Sequence, residues 1–232
     1  MKLQRGTEEK LFSGDASTRA LSVAPVRDAF VEETYDKIAV TYDWTMGPAL
    51  HAGRLQARER LPLAKNDRVL EVGVGTGINA ALYPSDVSVT GIDVSQEMLD
   101  KAERRLAGRN VRNVRLMQMD AAKLDFPDNS FDLVYAPFVI SVVHDPVAVA
   151  REMKRVCRPA GHLVILNHFL SANRFLARLE RLISPITIHA GFKSDVDLPA
   201  FLAQAELEPV SVEKVALYWT FILCGGREAV DS

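Results

Sequence analysis

The chain has 232 residues, 48% of them hydrophobic, with 28 Lys plus Arg against 30 Asp plus Glu and a net charge of −2. That size and apolar content close one sizeable core, which argues against two small independent domains. The near balance of charge excludes a global field that would draw the protein to nucleic acid, so any electrostatic partner has to be met locally.

Residues 1 to about 30 mix charges with Ser, Gly and Thr and read as a tail that is mobile or orders late. The stretch MKLQRGTEEKLFSGDASTR has no apolar centre of the signal-peptide kind, so export is not expected. The two cysteines, Cys157 and Cys224, lie far apart in apolar surroundings; neither a disulfide framework nor a metal site follows, and a reduced, cytoplasmic setting is expected. The longest uncharged apolar run, Leu133 to Val143, falls well short of the roughly 20 residues that a membrane-spanning helix needs. The protein is therefore expected to touch a membrane at most, not to cross it.

YDKIAVTYDWT places Tyr35 and Tyr42 two helical turns apart, on one face if the segment is helical. Residues 1–62 are expected to form a tail and a helical lid, and 63–226 the main domain. From Asp67 onward RVLEVG, VSVTGID, NVRLMQMD, FDLVYA and HLVILN are five strands alternating with helical patterns, which predicts an α/β fold with a mostly parallel sheet and helices on both faces. Between the second and third strands, Met98, Leu99, Ala102 and Leu106 recur at helical spacing behind a Ser95 N-cap. FVISVV reads as a short apolar helix after the fourth strand. Asp145 and Pro146 then start a helix with a stripe of Val147, Ala150, Met153 and Val156, stopped by Arg158-Pro159-Ala160-Gly161. Residues 171–183 look helical and basic, Asp197 caps a short helix through Phe201 and Leu202, and LEPVSVEKVALYWTFILCGGR closes the sheet, seven-stranded in all, as an antiparallel hairpin.

In an open α/β sheet, ligands bind where strands end and the first strand turns into the first helix. Gly73, Gly75 and Gly77 stand at that turn in a G-x-G-x-G pattern, one residue short of the dinucleotide fingerprint G-x-G-x-x-G. Glu71 just before them would repel a phosphate and suits a ligand carrying ammonium or sulfonium charge. Asp93 ends the second strand, 22 residues after Glu71, where a carboxylate can accept both hydroxyls of a ribose. Asp120, at the end of the third strand, can accept from the exocyclic amine of adenine, and Ala121 leaves room for the ring. Three carboxylates in register with a glycine loop describe a pocket for a cationic adenosine derivative; taken singly, each also reads as a solvated acid capping the next helix.

EVGVGTG, GIDVS, MDAAKLDFPDNSFDLVYA and RVCRPAGHLVILN resemble the class I S-adenosylmethionine-dependent methyltransferases, and the likeness runs from Tyr35 to Gly226. The resemblance implies a Rossmann-like fold, S-adenosyl-L-methionine as donor and S-adenosyl-L-homocysteine as product. It also implies that Glu71, Gly73, Gly75, Thr76 and Gly77 surround the methionine part, Asp93 the ribose, and Asp120 with Ala121 the adenine. Val94, Met98, Ala136, Tyr35 and Tyr42 complete the implied donor set.

The acceptor is narrowed by Ala136-Pro137-Phe138. Enzymes of this class that methylate base amino groups usually place Asn or Asp before such a Pro and aromatic residue, and Ala136 cannot hold a planar amine, so no nucleic-acid partner is expected. An alkyl amine, by analogy with lysine, must lose a proton near pH 10 before it attacks, so a base or a desolvating pocket has to help. His144 and His168 are the candidate proton acceptors, each with a structural role as the alternative. Tyr35 and Tyr42 offer hydroxyls for a carboxylate or amine and rings for a methylated ammonium, or simply core packing. His51 and His189 suggest no role.

Within the class, YDKIAVTYDWTMGPALHAGR, APFVISVVHDP and REMKRVCRPAGHLVILNHF resemble the soluble bacterial phosphatidylethanolamine N-methyltransferases over residues 33–225. Arg174, Arg178 and Arg181 form a stripe within 170–193, a segment with four basic residues and one acidic, which fits an amphipathic helix on an anionic membrane or an ordinary helix with a solvated face. A second basic stretch, Arg54, Arg58 and Arg60, joins it in the membrane reading. The expected reaction is N-methylation of phosphatidylethanolamine toward phosphatidylcholine by a peripheral protein on the inner face of the membrane. A methyltransferase for a quinone precursor or another small hydrophobic acceptor, and a non-catalytic membrane-peripheral nucleoside-binding protein, are the alternatives.

Overall fold

The computed structural model describes residues 47–169, 196–215 and 219–225. Tyr35, Tyr42, Arg174, Arg178, Arg181 and His189 lie outside these residues.

Helix α1 (Gly47–Arg58) leads into β1 (Arg68–Val72), β2 (Ser88–Asp93), α2 (Gln96–Gly108), β3 (Val114–Gln118), β4 (Phe131–Pro137), α3 (Pro146–Val156), β5 (Cys157–Asn167), α4 (Leu198–Ala205), β6 (Ser211–Val215) and β7 (Trp219–Cys224). The seven strands form one sheet in the order β3-β2-β1-β4-β5-β7-β6. The first five are parallel, and β7 runs antiparallel to both β5 and β6. This is the expected mostly parallel sheet with a closing hairpin.

Period-two alternation divides the core between two faces. Leu70, Val72, Val134, Ala136, Leu163, Ile165 and Ile222 point to one face, where Val149, Ala150 and Met153 of α3 and Phe201 and Leu202 of α4 cover them. Val69, Leu133, Tyr135, Val164, Leu166 and Phe221 point to the other, against Ala57 of α1. The central strands are buried on both faces, as a parallel sheet covered by helices requires. The expected caps are present. Ser95 accepts the Met98 N–H at 3.2 Å, Asp145 accepts those of Val147 and Ala148 at 3.0 and 2.9 Å, and Asp197 accepts that of Ala200 at 3.0 Å.

Three expectations are corrected. The glycine loop leads not into an α-helix but into a 3-10 turn of three residues, Ala80–Leu82. FVISVV is not a helix: after Phe138 the chain makes a turn in which the amides of Val142 and Val143 both donate to the Val139 carbonyl, at 2.9 and 3.2 Å. Five apolar residues and one serine satisfy a buried turn as well as a helix, and composition cannot separate the two. Finally, α3 does end at Val156, but Arg158 to Gly161 run inside β5, opposite the irregularity between Phe131 and Leu133, rather than forming a loop.

Candidate active site

The turn after β1 is built by its glycines and by an acid from the next strand. Gly73, Gly75 and Gly77 have φ of +67°, +55° and +74°, the left-handed region that residues with a Cβ rarely enter. Asp93 holds the loop: its Oδ2 accepts the Gly75 N–H at 2.8 Å, and its Oδ1 accepts the Ser95 N–H at 3.0 Å. A Cβ on Gly73 would lie 2.4 Å from Val139 Cγ2, so the loop packs tightly on the turn after β4. A Cβ on Gly75 would meet nothing within 4 Å. That space belongs to a cavity of about 260 Å³ at the carboxyl ends of the parallel strands.

Most of the expected site residues line it. Gly73, Gly75 and Thr76 form the side under β1; Asp93, Val94 and Met98 form the side under β2 and α2; Asp120 and Ala121 form the far end. Asp120 is exposed, two residues past β3, and its Oδ1 accepts the Ala122 N–H at 2.8 Å, fixing the loop that carries Ala121. Gly77 and Ala136 stand back. A Cβ on Gly77 would sit 2.9 Å from Ala102 of α2, and Ala136 is wholly buried in the core, so the lining from this strand begins at Pro137 and Phe138.

Glu71 is also set back. It is fully buried on the α1 face of the sheet, beside Tyr135, its neighbour in register on β4. Its Oε1 accepts from Asn79 Nδ2 at 3.2 Å, and it is Asn79 that lines the cavity. Burial pushes its carboxyl up to about 7, while Asn79, the approaching Tyr83 hydroxyl and the charge of Arg54 pull down and Asp93 adds to the rise. Its Oε2 and the hydroxyls of Tyr83 and Tyr135 are buried without hydrogen bonds of normal geometry. Burial, and then the Glu71 charge, raises both phenols well above their ordinary range.

Across the cavity, Phe138 has φ +63°, a strained value for an aromatic residue, and strain of this kind collects at ligand sites. It is held by its N–H donating to Leu166 O at 2.6 Å and by an edge contact with Trp219, ring centroids 4.7 Å apart. The guanidinium carbon of Arg54 stands 5.3 Å from the centre of the same ring. Fully buried Asn167, at the end of β5, accepts from the Ser141 N–H and Oγ, both at 3.3 Å, and donates to the His168 carbonyl at 2.7 Å, so it holds the apolar turn in place. His144 is exposed and lines the cavity. His168 is half-buried outside the lining, with its ring edge toward Trp219 at 6.4 Å.

Sequence reasoning missed Arg54, Asn79, Phe138 and Asn167. It also placed Arg54 on a basic membrane-facing stretch, and this is corrected: Arg54 is buried and turned into the cavity wall. The available signal was Gly53, whose missing Cβ marks a close approach of α1 to another element.

A methyltransferase-domain family model matches residues 70–165. The structure of phosphoethanolamine N-methyltransferase 2 from Haemonchus contortus, in complex with S-adenosyl-L-methionine, shares the fold with a TM-score of 0.66 and 18% identity, covering 85% of this chain and 59% of that one. The phosphatidylethanolamine N-methyltransferase of Cereibacter sphaeroides is 41% identical over 181 residues, 78% of this chain and 88% of that protein. The chain belongs to the class I S-adenosylmethionine-dependent methyltransferases. A ubiquinone/menaquinone biosynthesis C-methyltransferase of Pseudomonas putida is 35% identical over 158 residues, 64% of this chain and 61% of that protein.

The cavity of this methyltransferase fits S-adenosyl-L-methionine. The empty space beyond Gly75 lets a ligand lie against the main chain, and Asp93, which accepts two backbone amides, lines the cavity with a carboxylate of the kind that accepts from a ribose hydroxyl. Asp120 and Ala121 line the far end, where an exposed carboxylate can accept from an exocyclic amine. A phosphate-bearing dinucleotide would bring like charge to Asp93 and Glu71, whereas a sulfonium brings the opposite charge.

Proposed function

We propose that the enzyme methylates the amine of phosphatidylethanolamine, and then its mono- and dimethyl derivatives, toward phosphatidylcholine at a membrane surface. The observation that carries this reading is the 41% identity to a phosphatidylethanolamine N-methyltransferase across 88% of that protein's length. The cavity supports it. Phe138, Val139, Val142, Val143 and Val149 make one side apolar, suited to an acceptor delivered from lipid, and His144 and Asp145 stand at its polar edge.

The donor supplies an electrophilic methyl group on sulfonium. The glycine loop, Asp93 and Asp120 hold it in a fixed pose, and the valine turn keeps water away, so positioning carries most of the rate. An ammonium cannot attack, and His144 is the group in the lining suited to take its proton. Tyr35 and Tyr42 are proposed to close over the site from the segment before α1, contacting donor and acceptor ammonium; replacing both by Phe is expected to lower turnover without changing the melting temperature.

Adsorption to the inner face of the membrane is proposed to use Arg174, Arg178 and Arg181. Among the described residues no helix is long and apolar enough to cross a bilayer. Three basic side chains at about 1 kcal/mol each change partitioning roughly a hundredfold. Changing all three to Glu is therefore expected to abolish sedimentation with anionic vesicles while sparing donor binding; a triple variant that sediments like its parent ends the membrane-helix proposal.

A second reading follows from the 35% identity to the quinone C-methyltransferase, since an apolar wall also admits a polyprenyl quinone precursor. Thin-layer analysis of radiolabelled products decides. Label in mono-, di- and trimethylated lipid from phosphatidylethanolamine vesicles supports the proposal, and label only in the quinone precursor overturns it.

A further inference from the structure

The chain passes β2 and β1 on its way from β3 to β4, yet residues 119–130 form neither helix nor strand. Such a segment has no ladder for its backbone groups, which must find partners elsewhere. Its first part caps itself: besides the Asp120 side chain on the Ala122 amide, the Asp120 carbonyl accepts the Lys123 N–H at 3.1 Å. Its second part is held by two side chains of α3. Glu152 Oε2 accepts the Leu124 N–H at 2.9 Å, while Arg155 donates from Nη2 to the Leu124 carbonyl at 2.9 Å and from Nη1 to the Phe126 carbonyl at 2.8 Å.

Arg155 is used to capacity. Its Nε and Nη2 also donate to Glu152 Oε1 and Oε2, both at 2.8 Å, and its Nη1 to Asp128 Oδ1 at 2.7 Å, so the five N–H groups of a guanidinium meet five acceptor atoms. The Arg155 hydrogen bonds hold the Glu152 carboxyl below its ordinary range, against the pull of burial, and so keep it an acceptor. With side chains 31% and 23% exposed, the two are screened as an ion pair, and what the segment draws from them is their fixed fork of bonds.

Neither side chain lines the cavity, but both ends of what they join do. The held segment begins with Asp120, Ala121 and Ala122, and Val149 lies one turn before Glu152 on α3. Buried Leu124 and the edge contact of Phe126 with Phe131, ring centroids 5.0 Å apart, already fasten the segment to the core. The fork therefore adds the register of its backbone rather than its attachment.

We propose that Glu152 and Arg155 are positioning residues for the methyl donor: by fixing the backbone of 124–128 against α3, they set where Asp120 and Ala121 stand and so how selectively the far end of the cavity takes adenine. The inference rests on the reading of Asp120 as the acceptor for the exocyclic amine, and is independent of what is methylated.

The experiment is calorimetric titration of the full chain, without acceptor, with S-adenosyl-L-homocysteine and with its analogue carrying hydrogen in place of the purine amine. Wild-type protein is expected to prefer the first by about fivefold or more, the size of one hydrogen bond to a charged group at an exposed site. Asp120→Ala is expected to erase that preference and gives the reference for a lost contact. Arg155→Lys keeps the charge but brings three donors to five acceptors, and Glu152→Gln loses an acceptor; both are expected to fold and to reduce the preference to less than about twofold. A structural role alone predicts a lower melting temperature, or both ligands weakened in proportion, with the preference kept. That pattern in Arg155→Lys and Glu152→Gln, beside a preference lost in Asp120→Ala, overturns the positioning role and leaves the adenine reading intact. Equal wild-type affinity for the two ligands overturns both.

Discussion

Asp93 Oδ2 accepts the Gly75 N–H at 2.8 Å, so the acid that ends β2 holds in shape the loop that ends β1. One side chain therefore has two duties, fixing the glycine loop from within and lining the cavity.

Asp93→Asn separates those duties poorly, and that makes it informative. An amide presents one oxygen where Gly75 and Ser95 need two, so one backbone N–H faces an NH2 group and the charge is lost. Each charge-assisted hydrogen bond contributes roughly 1.5 to 3 kcal/mol. The variant is expected to melt at a lower temperature and to bind S-adenosyl-L-homocysteine at least tenfold more weakly. Unchanged affinity in the folded variant refutes the ribose assignment.

Glu71 should make stability depend on pH. Its carboxyl is raised from the ordinary carboxylate range to about 7, so the folded state holds more protons than the unfolded state between about pH 4.5 and 7. The stability it permits is present in full below that window and is lost as pH rises through it, with an upper bound of about 3 kcal/mol. Above pH 7 both states are ionised and the loss is constant. Thermal melts of wild type and Glu71→Gln are expected to diverge from pH 5 to 7.5, the wild type losing ground. Parallel melting curves would show that the buried carboxyl titrates normally.

Gly53→Ala tests the seating of α1. The methyl group would overlap Trp219 Cδ1 at 2.5 Å, forcing the indole or the helix to move. Overpacking of this kind costs about 1 to 3 kcal/mol, more than the gain in helix propensity, which is at most about 1 kcal/mol. The variant is expected to lose stability and donor affinity together, since Phe138 and Arg54 depend on Trp219. Adding Trp219→Phe should return part of the stability, as followed by thermal denaturation.

Asn167→Ala removes the acceptor of the buried Ser141 amide and hydroxyl and the donor to the half-buried His168 carbonyl. Leaving such groups without partners costs about 1 to 3 kcal/mol. Because the valine turn forms the side of the cavity proposed for the acceptor, turnover is expected to fall more than donor binding, measured as kcat against calorimetric Kd. Equal turnover would show that the turn holds its shape without Asn167.

Much of this fold and donor site was legible in the sequence. The strands announce themselves by apolar runs with Gly, Asp and Pro at their ends, the caps by Ser95, Asp145 and Asp197, and the donor end by three glycines and three acids at successive strand ends. These are local signals, set by backbone preference and by the side-chain period along one element. What lies across elements was not legible. Glu71 looked like a ligand contact but is sealed behind Asn79, because strand alternation turns it to the α1 face with Tyr135. Arg54 looked like one of a row of surface cations, and only the close approach of α1 to Trp219 turns it into the cavity. The apolar segment FVISVV became a turn because Asn167, on another strand, accepts from Ser141 and because Val139 packs against Gly73. Sequence by itself determined the elements, their order along the chain and the chemistry of the donor. Tertiary structure decided which charged groups face the cavity, because burial and direction depend on neighbours that are distant along the chain and adjacent only once the sheet has closed.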